Sequence, residues 1–198
     1  MERTGPTTDL ATLVGLAKSG RTAAVEQLVD LYGPRLYGLL YRMTGSVADA
    51  EDLLQETYIK MLRGLAAYEE AGRFEPWLFS IAANLARDWL RRQSRAAVIA
   101  PSAGERAADE SVEATAGSAD SEAERRLIRT EQADRLQRAL AELSPHEREV
   151  VALRFFSDLS FKEIAQVLKV PLGTALARAH RALKHLRERL PREQAALE

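Results

Sequence analysis

Apolar residues recur along this chain at three- and four-residue spacing, and no convincing stretch alternates as a half-buried strand would. Leu10, Leu13, Val14 and Ala17 mark a short helix that stops at Ser19-Gly20. Val25, Leu28, Val29, Leu36, Leu39 and Leu40 mark a longer one that Thr44-Gly45 ends. Gly33-Pro34 falls inside it and predicts a kink or a restart, because proline lacks the N–H and its ring crowds the preceding turn. Ser46 reads as an N-cap with Asp49 at the third helical position. In the helix that follows, about Val47 to Leu65, the core-facing stripe is Ala50, Leu54, Tyr58, Met61 and Leu65. Asp49, Asp52 and Glu56 line the opposite side, flanked by Leu53 and Ile59. After a loop over 66–74, Leu78, Ile81, Ala82, Leu85 and Trp89 define a helix from Glu75 to about Arg95. Its other side carries Ser80, Asn84, Arg87 and Arg91, with Trp77 at the edge.

The pattern then fails. Residues 96–120 are mostly Ala, Ser, Gly and acids, too poor in large apolar groups to offset the entropy of ordering, so they read as a flexible linker. Periodicity resumes at Ser121, which with Glu124 makes a capping box ahead of Leu127, Leu136, Leu140 and Leu143. Ser144-Pro145 ends that helix and starts another, with Val150, Val151 and Leu153 inward. Ser160 and Glu163 form a further capping box, opening a helix with Ile164, Ala165 and Leu168 on one side. Lys169 to Gly173, containing Pro171, breaks it. A last helix begins near Thr174, with Ala175, Ala179, Ala182, Leu183 and Leu186 inward and Thr174, Arg178, Arg181 and Lys184 on its other side. A short helix, a tight turn and a second helix with a basic outer face fit a helix-turn-helix, whose second helix enters the major groove. An ordinary helical hairpin with a solvated basic face fits the same stretch. The expected fold is all-α: two small helical domains, 8–95 and 121–192, joined by a flexible acidic linker, the second ending in the helix-turn-helix.

Charge sharpens this picture through its distribution. Net charge is −1 over 198 residues, with 46% hydrophobic and 29% charged. From Ala86 to Arg95 four arginines face one aspartate, and from Thr174 to Arg192 six basic residues face Glu188. Between those blocks, Ala96 to Glu122 holds six acids and only Arg106. Basic blocks separated by an acidic spacer are the footprint of a nucleic-acid binder. There is no cysteine, which excludes disulfides, thiol catalysis and zinc fingers. No apolar run approaches the ~20 residues that cross a bilayer, so the expectation is a soluble, cytoplasmic protein without membrane insertion.

Candidate chemistry follows from the exposed faces. The acids beside Leu53 and Ile59 suit either a solvated face or a docking surface. Trp77, near Tyr68 and Phe74 and beside the Asn84, Arg87 and Arg91 stripe, has the components single-stranded DNA requires: a stacking surface and guanidinium groups for phosphates. A core role for either tryptophan fits too, and for Trp89 it is the preferred one. No Gly-rich phosphate loop, nucleophile elbow or metal-ligand spacing among His146, His180 and His185 is present, so no catalytic residue, metal or cofactor is expected.

With these motifs in order, the chain resembles the extracytoplasmic-function group of the sigma-70 family of bacterial sigma factors. The likeness is carried by DAEDLLQETYIKML at Asp49–Leu62, FEPWLFSIAANLARDWLRR at Phe74–Arg92, and LSPHEREVVALRFFSDLSFKEIAQVL at Leu143–Leu168 followed by PLGT. It implies that Asp49, Asp52, Leu53, Gln55 and Glu56 dock on core RNA polymerase. It implies that Trp77, Asn84, Arg87 and Arg91 melt and capture the minus-ten element, and that Thr174, Arg178, Arg181 and Lys184 read the minus-thirty-five element. Core polymerase and promoter DNA are the implied partners, and an anti-sigma factor is common in the group. It further implies that the linker, through Glu105, Asp109, Glu110 and Glu113, lies along the polymerase channel; a plain spacer fits those residues as well. Two departures bear on upstream recognition. The usual turn glycine is Lys169, and the small polar and basic positions after Gly-Thr are Leu176 and Ala177, which lack hydrogen-bond donors. A free-standing helix-turn-helix regulator is the alternative reading, but it leaves Asp49–Arg95 without a role.

Overall fold

The computed structural model describes residues 9–69, 72–99 and 121–190; the side chains of 97–99 and 121–129 lie outside that description. Among the described residues all regular structure is helical, as expected. The N-terminal half holds α1 (Leu10–Lys18), α2 (Thr22–Thr44), α3 (Val47–Leu65) and α4 (Phe74–Ile99). The C-terminal half holds α5 (Ser121–Ala141), α6 (Pro145–Phe155), α7 (Phe161–Leu168) and α8 (Leu172–Arg189).

Two expectations for the N-terminal half are corrected, at Leu53 and at the end of α4. Helix α2 continues through Pro34 without a restart. The proline is exposed, and burial of Leu28, Tyr32, Leu36 and Leu40 on either side of it holds the turns in register. Leu53, expected beside the acid strip, is only 4% exposed, because the buried stripe of α3 runs through Ala50, Leu53, Thr57 and Met61. Thr57 can sit inside because its hydroxyl donates to the Leu53 carbonyl at 2.7 Å. Helix α4 extends to Ile99, into the stretch assigned to the linker. Residues 100–120, with the four linker acids, lie outside the described residues, as do the side chains of the Ser121 and Glu124 capping pair.

The loop before α4 is closed by its own aromatics. Tyr68 and Phe74 are buried, and Trp77 lies against both, with ring centroids 4.8 and 5.6 Å away. A Cβ on Gly64 would come within 3.0 Å of the Trp77 ring, so the absence of a side chain there lets α4 start close to α3. Lys18 donates from Nζ to the Tyr68 carbonyl at 2.5 Å and ties α1 to the same loop.

In the C-terminal half, capping explains where the helices begin. Ser144 accepts from the Glu147 N–H, with Pro145 in the first turn where its missing donor costs nothing. Ser160 accepts from the Glu163 N–H at 3.3 Å while the Glu163 carboxylate accepts from the Ser160 N–H at 2.7 Å, completing the expected box. Lys169 ends α7 in the left-handed region at φ 54, as its replacement of a turn glycine predicts. Val150, Val151, Ala152 and Leu153 of α6 are all buried, which makes α6 the central helix of this half.

The halves do not stand apart. One continuous apolar core joins Leu36, Leu40 and Phe79 to Val150, Leu153, Ile164 and Val167, with α2 against α6 and α4 against α7. Arg35 is the polar centre of this contact. It grips the Glu75 carboxylate through Nη1 and Nη2 at 3.1 and 3.2 Å, and it donates from Nε at 3.0 Å, and also from Nη2, to the Ser157 carbonyl. At the far end of the contact Arg42 donates to Gln137 Oε1 at 2.9 Å, and Arg148 donates to the carbonyls of Met43 and Ala141 at 3.2 and 2.6 Å. Burial pushes the Arg42 and Arg148 guanidinium groups below their ordinary range.

The capping geometry makes two measurable statements about the helix-turn-helix. Ser160→Ala removes an N-cap and should cost about 1 kcal/mol in chemical unfolding. Lys169→Gly relieves about 1 kcal/mol of left-handed strain, partly returned through the freedom of the unfolded glycine. It should not lower the melting temperature, whereas Lys169→Val should.

Candidate nucleic-acid interface

Helix α8 buries Ala175, Ala179, Ala182 and Leu186. At about 100° per residue the side facing solvent therefore centres on Gly173, Ala177, His180, Arg181 and Lys184, all of them exposed. Leu176 borders that face at 45% exposure and does not pack inward. Of the four residues expected to meet DNA here, Arg181 and Lys184 are on the open face. Thr174 and Arg178 are half-buried on its flank. Small alanines allow α8 to lie close to α6 and α7, and that close approach turns the flanking positions toward the protein. Arg181 Nε lies 3.2 Å from Glu147 Oε1, a carboxylate that the Ser144 hydroxyl and then Arg181 hold below the usual range.

Helix α4 brings Asn84, Arg87 and Arg91 to one side. Arg87 donates from Nη2 to Asn84 Oδ1 at 2.6 Å, while Arg91 is exposed and paired to Asp88, whose carboxyl that bond holds below its usual range. Trp77 keeps a half-open ring, but Tyr68 and Phe74, read as possible stacking partners, are in the core. The aromatic surface available to a base is Trp77 alone among these three.

Arg87 also reaches α6. Its Nε is 3.0 Å from Glu149 Oε1, within ion-pair distance. The single Nε hydrogen is directed to the Ala83 carbonyl at 3.3 Å, so Glu149 Oε1 gains charge attraction without a hydrogen bond. Burial pushes the Glu149 carboxyl up to about 7, against the opposing pull of the Arg87 and Arg178 guanidinium groups. A cleft of about 530 Å³ opens beside this pair, with Arg91 and Arg95 from α4 and His146 from α6 on its walls. Glu149 is the buried acid beside the candidate arginines that sequence reasoning did not single out. The signal was an acid immediately before the inward Val150.

Helix α3 presents the acid strip. Asp52 and Gln55 are exposed, and Glu56 is 3.2 Å from Lys60. Asp49 is half-buried and accepts from Trp89 Nε1 at 3.0 Å, so Trp89 is partly buried and tethered to the strip. With Leu53 in the core, the exposed apolar residues on this helix are Ile59 and Leu62. Among the described residues no cluster of His, Asp or Glu is suited to a metal, and no helix is long and apolar enough to cross a membrane.

An all-helical chain with an acidic face on one helix, an Arg/Asn/Trp side on the next and a helix-turn-helix with cations on its open face has the layout of a DNA-binding transcription protein. Comparison with known proteins identifies which one. Residues 28–96 match the family model for sigma-70 region 2, and residues 133–186 that for sigma-70 region 4. RNA polymerase sigma factor CarQ of Myxococcus xanthus is 38% identical over 173 residues, 87% of this chain and 92% of its own length. The ECF RNA polymerase sigma factor SigW of Bacillus subtilis is 30% identical over 181 residues, with the same two coverages of 87% and 92%. The solved structure of the sigma factor RpoE in complex with the anti-sigma factor NepR from Bartonella quintana is 25% identical, with TM-score 0.64, and the match covers 82% of this chain and 94% of that one. The chain belongs to the extracytoplasmic-function group of the sigma-70 family. It is a sigma factor that directs RNA polymerase to promoters.

The raised Glu149 pKa has a consequence for stability. A carboxyl that titrates near 7 when folded and near 4.5 when unfolded stabilises the folded state fully below about pH 4.5. That contribution is lost as pH rises through about 7. Between pH 6 and 8 the wild-type unfolding free energy should therefore fall relative to that of Glu149→Gln, by at most about 1.4 kcal/mol per pH unit. Urea unfolding of both proteins across that range measures the difference, and parallel curves would remove Glu149 as the titrating group.

Proposed function

We propose that three exposed faces divide the work of initiation. The strip of Asp49, Asp52, Gln55 and Glu56 on α3, with Ile59 beside it in place of the buried Leu53, docks on core RNA polymerase. Trp77, Asn84, Arg87 and Arg91 on α4 capture the non-template strand of the minus-ten element, Trp77 as the stacking surface and the arginines on phosphates. Helix α8 enters the major groove of the minus-thirty-five element, with Arg181 and Lys184 on its open face and Thr174 and Arg178 at the side. The polymerase supplies the chemistry, and the chain acts in the cytoplasm beside it. The likeness to a sigma factor bound by an anti-sigma factor supports a partner of that kind here too.

One observation carries the reading: the exposed acid face and the arginine faces lie on different helices of one molecule. Asp52 and Glu56 are on α3, Arg87, Arg91 and Arg95 on α4, and Arg181 and Lys184 on α8. A free DNA-binding regulator needs the last of these faces only.

Transcription by core polymerase with this chain, from a promoter library, tests the assignment as a whole. Asp52→Lys with Glu56→Lys should leave folding within about 1 kcal/mol of wild type, since both positions are at the surface. The reversed charges should lower affinity for core at least a hundredfold, because like charge at an interface costs several kcal/mol. Co-purification with core reads this directly. Asn84→Ala should keep core affinity and slow promoter opening about fivefold, the effect of one hydrogen bond of about 1 kcal/mol. Permanganate reactivity of promoter thymines follows the opening, and unchanged reactivity on every promoter would remove Asn84 from the capture face.

A further inference from the structure

Only six large apolar side chains stand exposed among the described residues, and two of them, Leu172 and Leu176, lie four residues apart on the first two turns of α8. They are 40% and 45% exposed. Their neighbours on the open side of those turns are Gly173 and Ala177, whose side chains offer neither a donor nor a charge. The first turn also has no side-chain cap, since Pro171 occupies the N-cap position. The open face becomes polar only further on, with His180, Arg181 and Lys184.

A recognition helix reads base edges with its N-terminal residues and holds phosphates with the cations around them. In α8 the exposed reading positions are apolar, with Thr174 and Arg178 half-buried at their side, and the holding positions further on are cationic. The major groove displays one apolar group, the C5-methyl of thymine. Hydrogen-bond readout of guanine or adenine from the Leu176 position is chemically unavailable, and a leucine presented there gains free energy by covering a methyl group and loses nothing by lacking a donor. We infer that Leu176, supported by Leu172 on the same flank, is a specificity-determining residue that reads thymine methyl groups in the upstream duplex. The inference rests on the proposed docking of α8 in that duplex. It adds the chemical group recognised and the side chain that recognises it. The occupant follows from charge complementarity: the leucines are continuous with a cationic face that suits a polyanion, whereas an apolar protein partner would gain nothing from Arg181 and Lys184.

The test uses holoenzyme assembled from core polymerase and the full chain. A promoter library randomised upstream first yields the sequences that support initiation. Each thymine in the selected upstream element is then replaced singly by deoxyuridine, which keeps base pairing and removes only the methyl. Open-complex formation should fall about fourfold at one or two adjacent positions, the equivalent of one buried methyl at about 0.8 kcal/mol. Leu176→Ala holoenzyme should fail to distinguish thymine from deoxyuridine at those positions, and Leu172→Ala should weaken the distinction. Both variants should melt as wild type and co-purify with core, because both side chains are at the surface. If thymine-to-guanine changes reduce initiation while thymine-to-uracil changes do not, the methyl reading is overturned and α8 still reads the upstream duplex. Discrimination that survives Leu176→Ala overturns it as well, by assigning the methyl to another side chain. Initiation indifferent to every upstream change overturns both the inference and the docking of α8 on which it rests.

Discussion

A single guanidinium, that of Arg35, joins segments that the chain keeps far apart. It links the middle of α2 to the first turn of α4 through Glu75, and to the turn between α6 and α7 through the Ser157 carbonyl. Its flat face lies over the rings of Phe79 and Tyr32, 5.1 and 5.6 Å from their centroids. A charge placed this close to a core is costly unless donors and acceptors are matched, and arginine suits the position because its rigid fork serves a carboxylate and a carbonyl together. The surrounding apolar contacts, Leu36 and Leu40 with Val150 and Leu153, supply adhesion without direction. Arg35 supplies the direction. It holds the Ser157 carbonyl in the turn, where Asp158 adopts a left-handed backbone at φ 55.

That arrangement determines how the candidate surfaces are presented. Packing α4 against α7 and α2 against α6 brings Glu149 to Arg87, so the α4 arginine best placed between Asn84 and Arg91 also faces an acid from the other half. The same packing turns Arg178 from the open face of α8 toward that acid. The ends of the molecule are less constrained: Arg181, Lys184 and the two leucines of α8 remain open, as do Asp52 and Gln55 of α3. The fold thus brings Arg87 and Arg91 to the boundary between the halves and leaves Asp52, Gln55, Arg181 and Lys184 exposed away from it. Glu149 is the costly element in this design. It is buried, its Oε1 has no hydrogen-bond partner, and burial pushes its carboxyl up to about 7 against the pull of Arg87 and Arg178.

Helix positions, caps and family were legible before any coordinates, because each depends on short-range chemistry. The capping box of Ser160 and Glu163, the left-handed Lys169 and the N-cap at Ser46 are decided within four residues, and the linear order of the motifs carries the kinship to sigma factors. Periodicity also located the buried face of α8, since four inward positions in eighteen residues leave little freedom in phase. What the sequence could not decide were positions on the border of a stripe and contacts between distant segments. Leu53 and Arg178 sit on such borders, and packing of α3 and α8 buries the first and half-buries the second. Helix α2 continues through Pro34 because burial on its inner side outweighs the local preference to restart there. The contact of the two halves, with Arg35, Arg148 and Glu149 in it, left no periodic trace, because a charged residue reads as surface until another segment covers it. Local propensity therefore determined the elements and the class of protein. Long-range burial alone decided which cations stay exposed.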